Sequence, residues 1–170
     1  MKVLISHEEI VLMCEKIGKK LSDKFRGEVP ILACVLKGAC PFYAELVKHI
    51  NIDVEFDFVQ ASSYMGGLTS SGSINIKKDL ESNISNRHLV LVEDIIDTGL
   101  TMKTLVEKLK ERNPKSITVV SMLDKPSRRK VDFIPDFIGK EIDDLFVVGF
   151  GLDLDEKLRN LKDVYVYNED

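Results

Sequence analysis

The sequence predicts an α/β fold: a largely parallel sheet flanked by helices, in one domain. Three observations point there. Short, continuous apolar runs recur at residues 31–36, 88–92 and 116–123, as in strands buried on both faces. Helical periodicity stands between them, with Ile10, Cys14, Ile17 and Leu21 in one stretch and Met102, Leu105, Val106 and Leu109 in another. Strands that alternate with helices build a parallel sheet with helices on its faces. The length of 170 residues suits one core without staples, and no repeat, low-complexity tract or second-domain boundary interrupts it.

Taken in order, Ser6-His7-Glu8-Glu9 is a capping box, and the apolar stripe behind it runs to about Phe25. Gly27 and Pro30 punctuate before the strand at 31–36. Lys37-Gly38-Ala39 is a tight loop, and Pro41 suits the first turn of a helix running to about Ile50. Ile52, Val54, Phe56 and Phe58 alternate with Asp53, Glu55 and Asp57, giving a strand with one polar face. Residues 62–72 turn to Ser, Gly and Thr around Tyr64 and Met65, with a return strand expected at 73–77. Such a segment between strands reads as a mobile functional loop in a long hairpin. The strand at 88–92 leads into an acidic loop and a helix that Asn113-Pro114 ends. After the strand at 116–123 comes a polar loop with Lys125, Arg128, Arg129 and Lys130. Residues 133–142, holding Pro135 and Gly139, are expected to be irregular, and 145–150 and 164–167 to be late strands.

The chemistry concentrates in Val90-Leu91-Val92-Glu93-Asp94-Ile95-Ile96-Asp97-Thr98-Gly99-Leu100-Thr101. In an open parallel sheet, ligands bind beyond the carboxyl ends of the strands, where this segment lies. A Thr-Gly-x-Thr turn into a helix start offers backbone N–H groups, two hydroxyls and the positive end of the helix dipole, which suits a phosphate. Adjacent carboxylates repel a phosphate unless a cation or ribose hydroxyls intervene, so Glu93 and Asp94 point to Mg²⁺ or a sugar diol. A sugar phosphate satisfies both halves.

This segment resembles the phosphoribosyl-pyrophosphate motif of type I phosphoribosyltransferases, and in this form the hypoxanthine-guanine (6-oxopurine) phosphoribosyltransferases. The resemblance covers nearly the whole chain, with its pieces in order. It implies a sheet carrying a small hood and a flexible lid hairpin, and a purine salvage reaction between phosphoribosyl pyrophosphate and hypoxanthine or guanine. It also implies Mg²⁺ as cofactor and a homodimer or homotetramer. Residue by residue, Leu36, Lys37 and Gly38 match a loop near the pyrophosphate, with a non-proline cis peptide between the first two. Ala39 replaces the family's frequent second glycine, and Gln60 stands where some relatives carry a pyrophosphate-contacting arginine. Ser63 and Tyr64 match the closing lid. Glu93 and Asp94 match the ribose and metal side, and Thr98, Gly99, Leu100 and Thr101 the 5′-phosphate turn. Asp97 would handle the purine N7 proton, although an aspartate here also suits a helix dipole. Lys125 matches a donor to the exocyclic O6; Phe146 and Val147 match contacts to the base. Asp153 matches a second Mg²⁺ site and Arg159 a pyrophosphate-side arginine. Without the resemblance, Lys125 reads as a solvated charge and Phe146-Val147 as strand core.

Two other classes stay open. Regulators that bind RNA or DNA use the same fold, and a related enzyme can act on xanthine, adenine or a pyrimidine. The net charge of −4 argues against a nucleic-acid partner, while the basic residues from Lys125 to Lys130 keep that reading in play. Cys14, Cys34 and Cys40, odd in number and without metal-type spacing, read as reduced thiols. The apolar run at the N-terminus is too short for a signal peptide, and no stretch reaches the ~18 apolar residues of a membrane span. A cytoplasmic protein with no membrane partner is expected.

Overall fold

The computed structural model describes residues 1–63 and 74–168. In chain order these form β1 (Lys2–Ile5), α1 (His7–Lys24), β2 (Ile31–Val35), α2 (Cys40–Leu46), β3 (Glu55–Ser63), β4 (Ile74–Lys78), β5 (His88–Ile96), α3 (Leu100–Lys110), β6 (Ser116–Asp124), β7 (Phe137–Glu141), β8 (Val147–Val148) and β9 (Val164–Val166). Short 3-10 turns follow α2 at Val47–His49 and β6 at Pro126–Arg128. A six-stranded sheet has the order β4-β3-β2-β5-β6-β7, parallel except for the edge strand β4. β1, β9 and β8 make a separate antiparallel sheet, the small hood.

Local chemistry sets the elements. The Ser6 hydroxyl accepts the Glu9 N–H at 3.3 Å and the Glu9 carboxylate accepts the Ser6 N–H at 2.9 Å, which closes the capping box at the start of α1. Alternation along β2 and β5 then divides the core. Leu32, Cys34, Val90 and Val92 face α1 and α2, where they meet Ile10, Cys14, Ile17, Leu21, Phe42 and Leu46. Ile31, Ala33, Val35, Leu89 and Leu91 face Met102, Leu105 and Leu109 of α3. Each fully buried large side chain is worth about 1.5–3 kcal/mol, against ~0–1 kcal/mol for a surface ion pair, so this two-sided burial decides the fold. Because β2, β5 and β6 run parallel and in register, their carboxyl ends share one edge.

Several expectations need correction. β5 runs on through Ile96, so Glu93 and Asp94 belong to the end of a strand, paired along β6, and not to a loop. Residues 137–141 are a regular parallel strand where irregularity was expected. Gly139 hid it: a Cβ there would lie 2.5 Å from the Met122 carbonyl, so glycine marks a close strand approach and not a break. β1 was not anticipated as a strand, and its partner β9 lies at the other end of the chain. The helix after Pro41 stops at Leu46 and finishes as the 3-10 turn. Tyr64, assigned to the lid, lies outside the described residues. So does the side chain of Ser63, whose backbone pairs with Ile74 in the hairpin of β3 and β4.

The strand β3 departs most instructively. On its acidic face Asp57 is only 3% exposed, while Phe56 opposite is 53% exposed and rests edge-on against Tyr43 at 5.3 Å. The Asp57 carboxylate accepts backbone N–H groups from Phe58 (2.7 Å), Glu81 (3.1 Å) and Ser82 (2.8 Å). Burial alone would raise its pKa, but the N–H donors of Ser82 and Phe58, with the other bonds, hold it below the ordinary carboxylate value. An acid buried this way ties the segment after β4 to the middle of β3. Asp57→Asn, which lacks the charge, is expected to lower stability by about 1.5–3 kcal/mol at pH 7 in urea denaturation. A depressed folded-state pKa stabilises above the unfolded value of ~3.9 and is lost as the pH falls through the folded one. The gap between parent and variant should therefore close below about pH 4, and a gap independent of pH would assign the effect to packing.

Candidate active site

The loops that leave β2, β5 and β6 converge at the shared carboxyl edge of the sheet, where the last turns of the chain also arrive. A cavity of about 200 Å³ there is lined by Glu93, Asp94, Asp97, Thr98, Gly99, Thr101 and neighbours. Glu93 and Asp94 stand half-buried at its base. Burial first, then repulsion from Asp94, holds the Glu93 carboxyl well above the usual range. Burial also raises Asp94, opposed by Glu93, by the Ile95 N–H at 2.7 Å and by the positive charge of Arg159. Among the described residues no group of three or more His, Cys, Asp or Glu side chains is arranged around a metal position. Two adjacent carboxylates held out of water nonetheless fit Mg²⁺, which takes few protein ligands and completes its shell with water and substrate phosphates.

The Leu36–Lys37 peptide is cis, and the loop it belongs to lies directly on Asp94. A Cβ on Gly38 would overlap the Asp94 carboxylate, and one on Gly151 would overlap the Gly38 carbonyl oxygen. Backbone therefore meets backbone with no room for a side chain between. From the Gly151 side, Arg159 donates to the Gly151 carbonyl at 2.7 Å and pairs with Asp153 at 2.9 Å. Its Nε is buried and has no hydrogen-bond partner among the described residues. Lys37 reaches across to Glu156 at 3.1 Å.

At the other wall, Gly99 occupies the N-cap of α3 at φ +80° with no side-chain cap. The first-turn N–H groups of a helix have no partner within it; here the Leu100 N–H donates to the Thr98 hydroxyl at 3.3 Å, at the wall of the cavity. Glycine is needed for its left-handed conformation, and also because a Cβ would press on Arg129 Cδ at 2.8 Å. Asp97 is ion-paired with Arg128 at 2.9 Å, and its carbonyl accepts from Arg129 at 2.6 Å. Arg129 also pairs with the buried Asp124.

Lys125 is not a solvated charge. It is 7% exposed, and its ammonium donates to the Leu145 carbonyl at 2.7 Å. Phe146, next along, is 53% exposed and meets Tyr167 edge-on at 5.9 Å, while Val147 is buried in β8. The structure thus gathers Leu36, Lys37, Gly38, Glu93, Asp94, Asp97 to Thr101, Asp153 and Arg159, and sets Lys125, Phe146 and Val147 beside Leu145. Asp153, expected as a metal ligand, has one oxygen on Arg159 and the other on the Glu156 N–H at 2.9 Å. Sequence reading passed over Asp124, Arg128, Arg129, Gly151 and Glu156 as site residues. The signal for Asp124 was present, an acid closing an apolar strand five residues before an arginine. In the basic loop left open as a nucleic-acid face, Lys125 and Arg129 turn inward onto the Leu145 carbonyl and Asp124, while Arg128, paired with Asp97, and Lys130 stay exposed.

The tight contact at Gly38 has a direct test. Gly38→Ala must displace either the loop or the Asp94 carboxylate, at a cost of about 1–3 kcal/mol. Chemical denaturation should show the loss, and an unchanged midpoint would mean that the loop does not pack on Asp94.

Comparison with known proteins fits this geometry. The model of the phosphoribosyl transferase domain matches residues 3–155. A hypoxanthine-guanine phosphoribosyltransferase of Streptococcus thermophilus is 46% identical over 169 residues, 99% of this chain and 94% of that protein. One from Bacillus subtilis is 48% identical over 160 residues, 94% of this chain and 89% of that protein. Among solved structures, a hypoxanthine phosphoribosyltransferase from Staphylococcus aureus has a TM-score of 0.95 at 39% identity, covering 99% of this chain and 91% of that one. A hypoxanthine-guanine phosphoribosyltransferase from Bacillus anthracis, with a HEPES molecule in the active site, has a TM-score of 0.94 at 38% identity, covering 99% of both chains. With its fold and nearly its full length matched in these proteins, the chain belongs to the phosphoribosyl transferase domain family.

Proposed function

We propose that the chain transfers the 5-phosphoribosyl group from phosphoribosyl pyrophosphate to hypoxanthine or guanine, giving IMP or GMP and pyrophosphate in purine salvage. The observation that carries this reading is the half-buried Glu93–Asp94 pair beside the uncapped start of α3. One group suits a sugar diol or a cation and the other a phosphate, at adjacent places. Thr98, Gly99, Leu100 and Thr101 hold the 5′-phosphate, and Glu93 and Asp94 take the ribose side and Mg²⁺. When bound, Mg²⁺ supplies neutralisation of the pyrophosphate charge. Leu36, Lys37, Gly38 and Arg159 face the pyrophosphate, with Asp153 fixing Arg159 in place.

On the base side, Phe146 offers an exposed ring for stacking, and Val147 fixes the strand that presents it. Lys125 has three donors and no acceptor, one of them fixed on Leu145, so a 6-oxo group is preferred to a 6-amino group. N9 of the base bonds to C1′ as the C1′–pyrophosphate bond breaks, and Asp97 shares the N7 proton. The Arg128 partner keeps the Asp97 carboxylate turned to the cavity lip. Ser63 and Tyr64 belong to the lid that excludes water in this reading, since an oxocarbenium-like centre otherwise hydrolyses. A homodimer or homotetramer in the cytoplasm completes it. Among the described residues no helix is long and apolar enough to cross a membrane.

Asp97→Asn keeps the size and loses the proton acceptor. Phosphoribosyl pyrophosphate binding should survive, while the first turnover, measured by rapid mixing, should slow by about 10²–10⁴-fold. A first turnover as fast as the parent's would reduce Asp97 to a helix-dipole and Arg128 partner. A panel of hypoxanthine, guanine, xanthine, adenine and a pyrimidine in a pyrophosphate-release assay tests the substrate class. Lys125→Met should erode the preference for 6-oxo over 6-amino purines, and adenine as the best substrate of the parent would overturn the assignment.

A further inference from the structure

One carboxylate oxygen in the site serves two cations. Glu156 Oε2 lies 3.1 Å from Lys37 Nζ and 3.3 Å from Arg159 NH2. The two cations come from opposite sides, one from the loop after β2 and the other from the segment after Gly151. Glu156 occupies the far end of a two-residue turn, closed by hydrogen bonds in both directions between Leu154 and Lys157. Both central residues have positive φ, 48° at Asp155 and 64° at Glu156. Turns with both central residues at positive φ favour glycine or asparagine at these positions. A glutamate held there costs backbone energy, and such outliers persist where the side chain has work to do.

Exposure shows which member of the cluster can give way. Arg159 and Asp153 are 25% and 31% exposed and are fixed to each other and to the Gly151 carbonyl. Glu156 and Lys37 are 63% and 57% exposed, and among the described residues the Glu156 side chain bonds to these two cations alone. The buried Nε of Arg159, without a partner among the described residues, leaves one donor of the guanidinium over.

We propose that Glu156 is a built-in counter-anion: it holds Lys37 and Arg159 where pyrophosphate will lie, and the pyrophosphate group displaces it on binding. This inference rests on the reading of Lys37 and Arg159 as the pyrophosphate side. The displaced carboxylate stays tethered nearby and takes the two cations back when pyrophosphate leaves. Glu156 is a positioning residue in this scheme, acting through the two cations and touching no reacting atom. Its cost is weaker binding of the leaving group and its gain is faster release.

Calorimetric titration of inorganic pyrophosphate with Mg²⁺ tests the proposal on the full chain. Glu156→Gln should tighten pyrophosphate by about 3- to 10-fold, the range open to two exposed ion pairs. Glu156→Gly, which suits the turn, should tighten it likewise. In steady state, KM for phosphoribosyl pyrophosphate should fall together with kcat as release slows. Asp155→Asn removes the same charge one residue away, at a φ that asparagine tolerates, and should leave pyrophosphate binding within twofold of the parent. Failure of the parent to bind pyrophosphate with Mg²⁺ would overturn the site reading and this inference with it. Binding by the parent that Glu156→Gln leaves unchanged or weaker, or that Asp155→Asn tightens equally, overturns this inference alone.

Discussion

Everything in the site depends on one close contact: Gly38, with no side chain of its own, lies between the Asp94 carboxylate and the backbone at Gly151. Three stretches distant in sequence are fixed there, the loop after β2, the end of β5 and the turn leading to Arg159. Close backbone packing transmits position with little slack, because a methyl group has nowhere to go. The carboxylate pair, the Lys37 loop and the Arg159 segment therefore share one frame of reference, and the parallel register of β2, β5 and β6 sets that frame. Two-sided burial of β2 and β5 supplies the rigidity, with α1 and α2 on one face and α3 on the other.

Around that frame, the positive groups are held by arrangement and not by excess. With a net charge of −4 the chain as a whole does not attract an anion. Arg128 leans on Asp97, Arg129 on Asp124, Arg159 on Asp153 and Glu156, and Lys125 on the Leu145 carbonyl. Each cation is oriented by the chain's own acceptors. Attraction for an anionic substrate then arises at short range, from N–H groups at the start of α3 and from cations already in place.

The parts legible in sequence were those where period and chemistry coincide. β5 and α3 could be read because an apolar run meets a 3.6-residue stripe across an acidic, glycine-containing turn, and residues of that turn line the cavity. The capping box of α1 was equally plain. What escaped depended on contacts between distant stretches. Asp57 looked solvent-facing because alternation reports which residues share a face and says nothing of what covers it; the N–H groups of Glu81 and Ser82 cover it here. Gly139 looked like a break because the Met122 carbonyl that requires it lies on another strand. Lys125 looked solvated because its acceptor lies twenty residues on. Glu156 was one acid among several until its shared cations were located.

The pairing of β1 with β9 has a consequence for how the molecule is made. Lys2, Val3 and Ile5 find their partners at Val166, Tyr165 and Val164. As synthesis proceeds, β1 leaves the ribosome early and has no antiparallel partner until β9 follows. The main sheet can assemble from β2 onward, since the strands it needs lie between residues 31 and 141. Closing β1 on β9 joins nearly the full length of chain, which makes it the contact of greatest loop entropy. Val147 and Val148 pair on the other side of β9, so β8 gains its partner in the same late event. The nascent protein thus has the turn into α3 at hand early and completes the β8–β9 wall last.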